Sequence, residues 1–373
     1  MRHHSRRDFL KQLGVGAAAW PAAGHTFAGP SVQESDLGAK PLGYAVVGIG
    51  NLAKGQILPA LRTTKRSRLV ALVSGDPAKA RHYARLYGAP ERNIYNYENY
   101  DQMASNPEID VVYVVLPNSM HAEYTIRAAR AGKHVLCEKP MATTVKDAEE
   151  MVAVCRQARK RLMVAYRLHY EPYNLAAMKM CREKELGQIK MIDAEFGFVI
   201  GDPTQWRLKH AMAGGGSLMD IGIYCLQAAR YLTGEEPVSV YAEQRSSDPV
   251  KFKEVEENIP FMLRFPSGAI ANCYSSYGIN YVDHYRVGGS EGWLEMEPAY
   301  VYSDLVQRVY KDGKITATTP STWDQFAAEM DAFSEAIQQD RDVATPGEEG
   351  VRDMKILMAC YESPRTGNTM KLT

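Results

Sequence analysis

Residues 111–141 constrain the fold more than any other stretch, because two short apolar runs there flank one amphipathic segment. The runs, 111–116 and 134–137, are rich in β-branched residues, and each ends abruptly in polar residues and a proline. This order predicts a βαβ unit with two parallel strands. Ligands of open parallel sheets bind at the carboxyl ends of the strands. The candidate site residues at these two strand ends are Leu116, Asn118, His121, Glu138 and Lys139.

An earlier apolar run, 42–47, leads directly into a Gly-x-Gly-x-x-Ala motif at 48–53 and then into a helix that is expected to start near Asn51. In such a motif the first glycine permits a tight turn, and the second lets the backbone approach a pyrophosphate at the helix N-terminus. The small third residue allows close packing of helix and strand. We therefore predict a dinucleotide site contacted by Gly48, Gly50, Asn51, Leu52 and Ala53.

The next predicted strand, 68–73, ends at Ser74, with Asp76 two positions further on and Lys79 nearby. In an NAD site, an acidic residue at the end of this strand binds the ribose 2′-hydroxyl. A hydroxyl and a cation suit a 2′-phosphate instead. We therefore predict NADP as the cofactor, held by Ser74 and Lys79; the alternative is that Ser74 is an ordinary turn residue.

The remaining patterns divide the chain into two parts. Strands and helices alternate up to about residue 165, which is typical of an α/β Rossmann domain with a doubly wound parallel sheet. Beyond it, strand patterns follow one another without helices, which predicts an α+β domain over 166–373 with a mainly antiparallel sheet. The strands expected there are 189–199, 238–246, 258–265, 269–277, 284–288 and 292–297, and helices are expected at 174–185, 323–339 and 347–361.

A glycine-led helix interrupts the second part of the chain. Three glycines at 214–216 precede it, which allows the backbone to lie against a ligand, and Asp220 and Tyr224 are four residues apart and so share one helix face. Trp206 and Arg207 precede the glycines, and Arg167 follows the strand predicted at 162–166. These side chains are further candidates for the wall of the site.

Composition and charge restrict the class of partner. The chain of 373 residues has 44 basic and 44 acidic side chains and a formal net charge of zero, so it offers no basic field for nucleic acid and no polybasic arm for a membrane. A small-molecule partner fits better. The six cysteines show neither Cys-x-x-Cys pairs nor metal-ligand spacing, so we expect no metal site or disulfide framework and interpret the cysteines as mostly buried thiols.

The first 28 residues have the pattern of an export signal. A twin-arginine motif at 5–11 is followed by an apolar run, 13–23, that is too short to span a bilayer. Cleavage is expected after Ala28, with Ala23 as a competitor, and a short arm, 29–41, would precede the first strand. The prediction is a periplasmic protein; a merely basic N-terminal tail is the alternative.

Several longer stretches resemble the glucose–fructose oxidoreductase/inositol dehydrogenase (Gfo/Idh/MocA) family, and in particular its branch of exported glucose–fructose oxidoreductases. The matching motifs are Leu-Pro-Asn-Ser-Met-His at 116–121, Cys-Glu-Lys-Pro-Met at 137–141, the glycine-led stretch 214–224, and the runs 230–237 and 346–350. The resemblance implies a site between a Rossmann domain and an open-faced sheet, with that sheet forming a homo-oligomer of two or four subunits.

The resemblance also implies roles for residues of the site. The family's Glu-Lys-Pro lysine, which contacts the sugar and the nicotinamide ribose, corresponds to Lys139. Tyr224 stands where many relatives have a histidine, as in the glucose–fructose oxidoreductase branch. Further cofactor contacts are predicted for Leu116, Asn118, His121, Glu138, Arg167, Trp206 and Arg207, and sugar contacts for Lys139, Arg207, Asp220 and Tyr224.

Oxidation of a sugar at C1 needs a base for the hydroxyl proton while a hydride leaves for the nicotinamide. We assign this role to Tyr224, since a nearby ammonium from Lys139 would stabilise its phenolate. Asp220, one turn earlier, would hold a sugar hydroxyl or orient the pair. Competing interpretations are a core anchor for Trp206, a helix-start residue bonded to nearby backbone for His121, and a surface ion pair for Arg167.

The predicted export favours one scheme of hydride transfer. A nucleotide carried out inside the folded protein must be recycled in place, so we predict tightly bound NADP reduced by an aldose, which becomes a lactone, and reoxidised by fructose or another sugar in a ping-pong cycle. The alternatives are an NADP-dependent aldose dehydrogenase with exchangeable cofactor, a redox-assisted glycosidase, and a non-catalytic nucleotide- or sugar-binding protein.

Overall fold

A computed structural model describes residues 39–372, so the predicted export signal and most of the arm before the first strand lie outside the described residues. The first sheet has six strands in the order β3-β2-β1-β4-β5-β6, and every neighbouring pair is parallel. This is the strand order of dinucleotide-binding sheets. The strands are β1 (Leu42–Val47), β2 (Ser67–Val73), β3 (Ile94–Tyr95), β4 (Val111–Val114), β5 (His134–Glu138) and β6 (Leu162–Ala165).

The described part of the chain contains seven helices of ten or more residues, and shorter helical turns lie between them. The longer ones are α1 (Pro77–Tyr87), α2 (His121–Arg130), α3 (Val145–Gln157), α4 (Pro172–Arg182), α5 (Ile223–Thr233), α6 (Gln325–Gln338) and α7 (Gly347–Thr366). The shorter segments are Ala53–Ile57, Leu58–Ala60, Glu91–Asn93, Tyr100–Ser105, Asn118–Met120, Arg167–Tyr170, Trp206–Leu208, His210–Ala213 and Leu218–Gly222. No described helix is long and apolar enough to cross a bilayer.

The second sheet has nine strands in the order β14-β13-β12-β11-β7-β10-β9-β8-β15. Only β7 and β10 pair in parallel, and the other neighbours are antiparallel. The predicted fold class, a Rossmann sheet followed by a mainly antiparallel sheet, is confirmed. The strands are β7 (Ile189–Gly197), β8 (Ser239–Ala242), β9 (Asn258–Arg264), β10 (Ile270–Ser276), β11 (Val282–Gly289), β12 (Gly292–Met296), β13 (Gln307–Lys311), β14 (Lys314–Ala317) and β15 (Met370–Lys371).

The last two long helices return to the first part of the chain. Helix α6 covers the first sheet, where the Tyr44 hydroxyl donates to the backbone oxygen of Met330 at 2.9 Å. Helix α7 carries Asp353, whose buried carboxylate accepts hydrogen bonds from Arg230 at 2.6 Å and from Tyr166. Because these partners lie on α5 and just after β6, one carboxylate joins three separate elements.

The six cysteines are all buried free thiols, as the sequence predicts. Burial raises the pKa of the Cys155 and Cys225 thiols to about 12, so both are protonated and unreactive at neutral pH. Within residues 39–372, no group of three or more histidine, cysteine or acidic side chains has the arrangement of a metal site.

Candidate active site

The turn after β1 has the geometry that a dinucleotide needs. Gly48 has φ +94°, which favours glycine, and a Cβ at this position would lie 2.3 Å from the backbone oxygen of Val115. Gly50 has no atom within 4 Å of where its Cβ would be, so its backbone faces open space. Asn51 is exposed and Ala53 is buried at the start of the following helical segment. A tight turn, an open second glycine and a small buried third residue fit a bound pyrophosphate.

The hydroxyl of Ser74 lies at the end of β2, and the carboxylate of the nearby Asp76 already accepts a hydrogen bond within the protein. The carboxylate of Asp76 accepts the backbone N–H of Lys79 at 3.0 Å and so caps α1. This backbone hydrogen bond lowers the pKa of Asp76. The Ser74 oxygen accepts the backbone N–H of Asp76 at 3.1 Å, which leaves the Ser74 hydroxyl hydrogen available to a ligand.

Lys139, directly after β5, lies at the same sheet edge as this turn, because Val47, Val114 and Cys137 are in register across β1, β4 and β5. Its ammonium donates to the backbone oxygen of Asp220 at 2.6 Å and lies 3.5 Å from the carboxylate of that residue. Burial alone would lower the pKa of Lys139, but the oxygens of Tyr224, Asp220 and Glu138 outweigh burial and raise it. Lys139 is therefore a cation at working pH.

Two cations lie near the aromatic ring of Tyr224. The Lys139 ammonium is 4.7 Å from the centroid of its ring, and the Arg167 guanidinium carbon is 5.0 Å from the same centroid. Arg167 is only 4% exposed, and the backbone oxygens of Tyr300 and Val301 hold its guanidinium. Arg167 is therefore not a surface ion pair, because its positive charge is fixed beside the aromatic ring.

Asp220 is a shared anchor. Its carboxylate accepts hydrogen bonds from Arg207 and from the Tyr277 hydroxyl, each at 2.9 Å, in addition to its contact with Lys139. Burial opposes ionisation, but the charges of Arg207 and Lys139 dominate and lower the pKa of Asp220 to about 2. A carboxylate held this firmly as an anion is not a proton donor, so Asp220 orients its neighbours.

Two predicted cofactor residues bond to the protein itself. His121 is fully buried, and its ring nitrogens each lie 2.8 Å from a backbone oxygen, that of Pro140 and that of Leu116. This arrangement matches the alternative interpretation, in which His121 bonds to nearby backbone. The Asn118 amide donates to the backbone oxygen of Ala213 at 2.9 Å, which leaves its side-chain oxygen available.

The other predicted residues are distributed around this centre. Glu138 is buried and accepts the Tyr113 hydroxyl at 2.8 Å, so its carboxyl faces the sheet interior. The Arg207 guanidinium lies 4.6 Å from the ring of Trp206, and both side chains are partly exposed above Asp220. The structure thus places Lys139, Tyr224, Asp220, Arg167 and Arg207 in one cluster, with Trp206 at its margin.

Sequence reasoning missed two members of the cluster. Tyr277, only 1% exposed, follows β10 and bonds to Asp220. Gln325 at the start of α6 accepts a hydrogen bond from Arg167 at 2.5 Å. Tyr277 ends a predicted strand, which is a usable signal, whereas nothing near Gln325 in the sequence points to the site.

We expect Asp220→Asn to reduce stability in a pH-dependent way. A carboxyl with a lowered pKa in the folded state contributes stability above its ordinary pKa of 3.8 and loses it as pH falls toward 2. The loss should be about 2 kcal/mol at neutral pH and should vanish in acid. Urea unfolding at several pH values would measure it, with the exposed Asp342→Asn as control. A loss independent of pH would contradict the charge assignment.

The fold and this cluster define an NAD(P)-dependent oxidoreductase. The family model "Oxidoreductase family, NAD-binding Rossmann fold" matches residues 42–166, and the model of the GFO/IDH/MocA C-terminal domain matches residues 174–295. The chain belongs to the Gfo/Idh/MocA family, as its motifs predict.

Similar proteins act on sugars. A D-xylose 1-dehydrogenase [NADP(+)] of Haloarcula marismortui is 32% identical over 91% of this chain and 96% of its own length. The crystal structure of an aldose–aldose oxidoreductase from Caulobacter crescentus with glycerol is 47% identical, with a TM-score of 0.87, and covers 89% of this chain and 100% of that one. A 3-ketoreductase from Actinomadura kijaniata with NADP and TDP-benzene is 26% identical, with a TM-score of 0.78, over 87% of this chain and 98% of that one. The protein is an NAD(P)-dependent oxidoreductase of this family.

Proposed function

We propose that this protein oxidises an aldose at C1 to a lactone with NADP that stays bound, and that a second sugar then reoxidises the cofactor in the same site. The observation that carries the proposal is the closeness of Lys139 and Arg167 to the Tyr224 ring, at the same sheet edge as the dinucleotide turn. Such a cluster supplies a proton acceptor and fixed positive charge beside it.

Each residue of the cluster has a separate role in the proposed reaction. Tyr224 acts as a phenolate stabilised by the positive charges of Lys139 and Arg167; it takes the proton of the C1 hydroxyl and becomes the neutral phenol. The bound nicotinamide supplies the hydride acceptor. Asp220 keeps Lys139 and Arg207 in place, and Arg207 is left to contact a sugar hydroxyl. In the second half-reaction, Tyr224 returns the proton to the carbonyl oxygen of the incoming sugar.

The end of β2 supports NADP over NAD. A carboxylate that would bind a ribose 2′-hydroxyl is missing from the strand end, and Asp76 caps α1 with its own carboxylate. Ser74 and Lys79 would hold the 2′-phosphate by a hydrogen bond and by charge. The NADP-dependent xylose dehydrogenase relative agrees with this preference.

We expect Ser74→Asp to weaken NADP and favour NAD. A carboxylate at this position repels the 2′-phosphate but accepts a hydrogen bond from a ribose hydroxyl, so the NADP-to-NAD affinity ratio should fall about tenfold or more. Nucleotide titration of the refolded, nucleotide-free protein would measure both affinities. The control is Ser105→Asp on an exposed turn. An unchanged ratio would assign the 2′-position to other residues.

The absorption spectrum of the purified protein tests the bound-cofactor cycle. We expect copurified NADP(H), with the near-ultraviolet band of reduced nicotinamide growing when glucose is added and bleaching when fructose or a second aldose is added. The aldose–aldose oxidoreductase relative favours an aldose as the second sugar. Protein that contains no nucleotide, but turns over with added NADP, would indicate the exchangeable-cofactor dehydrogenase instead.

The proposed location of the protein is the periplasm, and its proposed state is a homo-oligomer. The twin-arginine motif at 5–11 supports delivery to the periplasm, and fractionation of cells that express the full chain would test it. The outer face of the second sheet exposes Met191, Ile270 and Tyr310, and we propose that a second copy of the chain covers it. Light scattering of the purified protein would distinguish a monomer from a dimer or tetramer.

A further inference from the structure

Glu329, on α6, is a buried carboxyl that the proposed reaction does not use. The residue is 0% exposed, and neither of its carboxyl oxygens has a hydrogen-bond partner among the described residues. Helix α6 packs against the first sheet, and Glu329 interacts there with residues that follow the strand ends or lie at them, Arg167 and Glu138. An ionised carboxylate without hydrogen bonds is costly at such a depth.

The groups around Glu329 come from several elements. Glu138 on β5 and Arg167 after β6 interact electrostatically with it, and the Tyr113 hydroxyl on β4, which donates to Glu138, lies beside it. Tyr44 on β1 and Tyr170 after β6 also interact with it electrostatically. Among these groups, Arg167 is the one cation and Glu138 is the one other acid.

Of the two carboxyls, Glu138 has more groups around it that stabilise the ionised form. It accepts the Tyr113 hydroxyl at 2.8 Å, and the positive charges of Lys139 and Arg167 stabilise its anion. Burial raises the pKa of both glutamates, and for Glu329 the charge of Glu138 raises it further. Two buried carboxyls that share one environment do not both ionise readily, so one proton is retained.

We propose that Glu329 holds this proton at neutral pH, so that Glu138 remains a carboxylate and acts as a positioning residue that keeps Lys139 charged and in place. The neutral acid removes a second negative charge that would compete for Arg167. The location of the proton is inferred from the full burial of Glu329 and from its lack of hydrogen-bond partners in the described part of the chain, whereas the effect on Lys139 rests on the proposed function.

Thermal unfolding tests where the proton resides. The unfolded chain releases the Glu329 proton near its ordinary pKa of 4.5, but the folded protein retains it, so this group makes the wild type lose stability as pH rises. Glu329→Gln carries no titratable proton. Its melting temperature relative to wild type should rise by at least about 2 °C between about pH 5 and about pH 8. A difference independent of pH would overturn the assignment.

A control variant and a second measurement accompany the unfolding experiment. Glu335→Gln, on the same helix but partly exposed in a pair with Arg341, should show no such rise. Infrared spectra of the wild type should contain the carbonyl band of a protonated carboxyl that exchanges slowly in heavy water. Because burial also raises the pKa of Glu256 and Asp353, the band should be weaker in Glu329→Gln than in the wild type rather than missing, and equal bands would contradict the assignment. Absence of the band from the wild type would overturn the proposal without any variant.

The half-reaction with sugar tests the effect on Lys139. Glu138→Gln keeps the shape of the side chain but removes a negative charge that supports the Lys139 ammonium, so the alkaline limb of the rate should move to lower pH by up to about one unit. Glu329→Gln should leave that limb in place. The reverse pattern, or equal slowing at every pH in both variants, would refute the assigned roles. If no sugar reduces the nucleotide, the proposed function fails, and the unfolding and infrared results still locate the proton.

Discussion

Replacing Tyr224 with phenylalanine should slow both half-reactions by about 10²–10⁴-fold, the range that general acid–base groups contribute. The variant keeps the aromatic ring against Lys139 and Arg167 but loses the oxygen that carries the proton. Single-turnover reduction of the bound nucleotide by an aldose, and its reoxidation by the second sugar, would measure the two rates separately.

The nucleotide content of Tyr224→Phe should equal that of the wild type, since the dinucleotide turn is untouched. Tyr310→Phe, on the outer face of the second sheet, is the matched control and should leave both rates unchanged. Normal turnover in Tyr224→Phe would assign the proton transfer to another group.

The second large effect is expected for Lys139→Met. Methionine preserves most of the length and volume of the side chain but removes the charge 4.7 Å from the Tyr224 ring and the hydrogen bond to the backbone oxygen of Asp220. Loss of fixed positive charge where negative charge develops should slow hydride transfer by about 10²–10³-fold. The same single-turnover assay would measure it.

The exposed Lys146→Met controls for a general effect of losing a lysine. Rates near those of the wild type in Lys139→Met would mean that Lys139 contributes little to the reaction, and that Tyr224 and Arg167 suffice for proton transfer. A variant that purifies without nucleotide should be reloaded with NADP before the assay, so that retention and chemistry are measured separately.

The sequence predicts the fold well where strands are buried, because long β-branched runs have few alternative structures. It misses β13 and β14, whose residues are mostly polar and, apart from the buried Gln307, partly or fully exposed. The Asp-Gly pair at 312–313 between them is nevertheless a hairpin signal. The two-residue strand β15 is also missed, since pairing with β8 creates it and its own composition does not.

The site is predictable to the extent that its residues are local. Asp220 and Tyr224 are assigned to one face from their spacing, and Lys139 from its place after a strand. The partners that define their chemistry are distant in sequence: Tyr277 on Asp220, and Gln325 and the backbone at 300–301 on Arg167. Spacing carries no information about such contacts.

For His121, sequence position alone does not distinguish a ligand contact from a backbone contact. Its position just after a predicted strand end suggested the nicotinamide site, but a fully buried ring between two backbone oxygens joins the ends of β4 and β5. A histidine at a strand end can bond to the backbone or to a ligand. Only the burial of the side chain in the folded structure distinguishes the two.

Helix α6 comes late in the chain but covers the first sheet, where Met330 accepts the hydroxyl of Tyr44 on the first strand. During translation, the nucleotide-binding half therefore emerges long before the ribosome has made the helix that completes it. Chains that end before residue 325 would leave Tyr44 and the base of β4 and β5 open to water. The core of the first sheet is thus completed only near the end of synthesis, so a truncated chain would lack one side of that core.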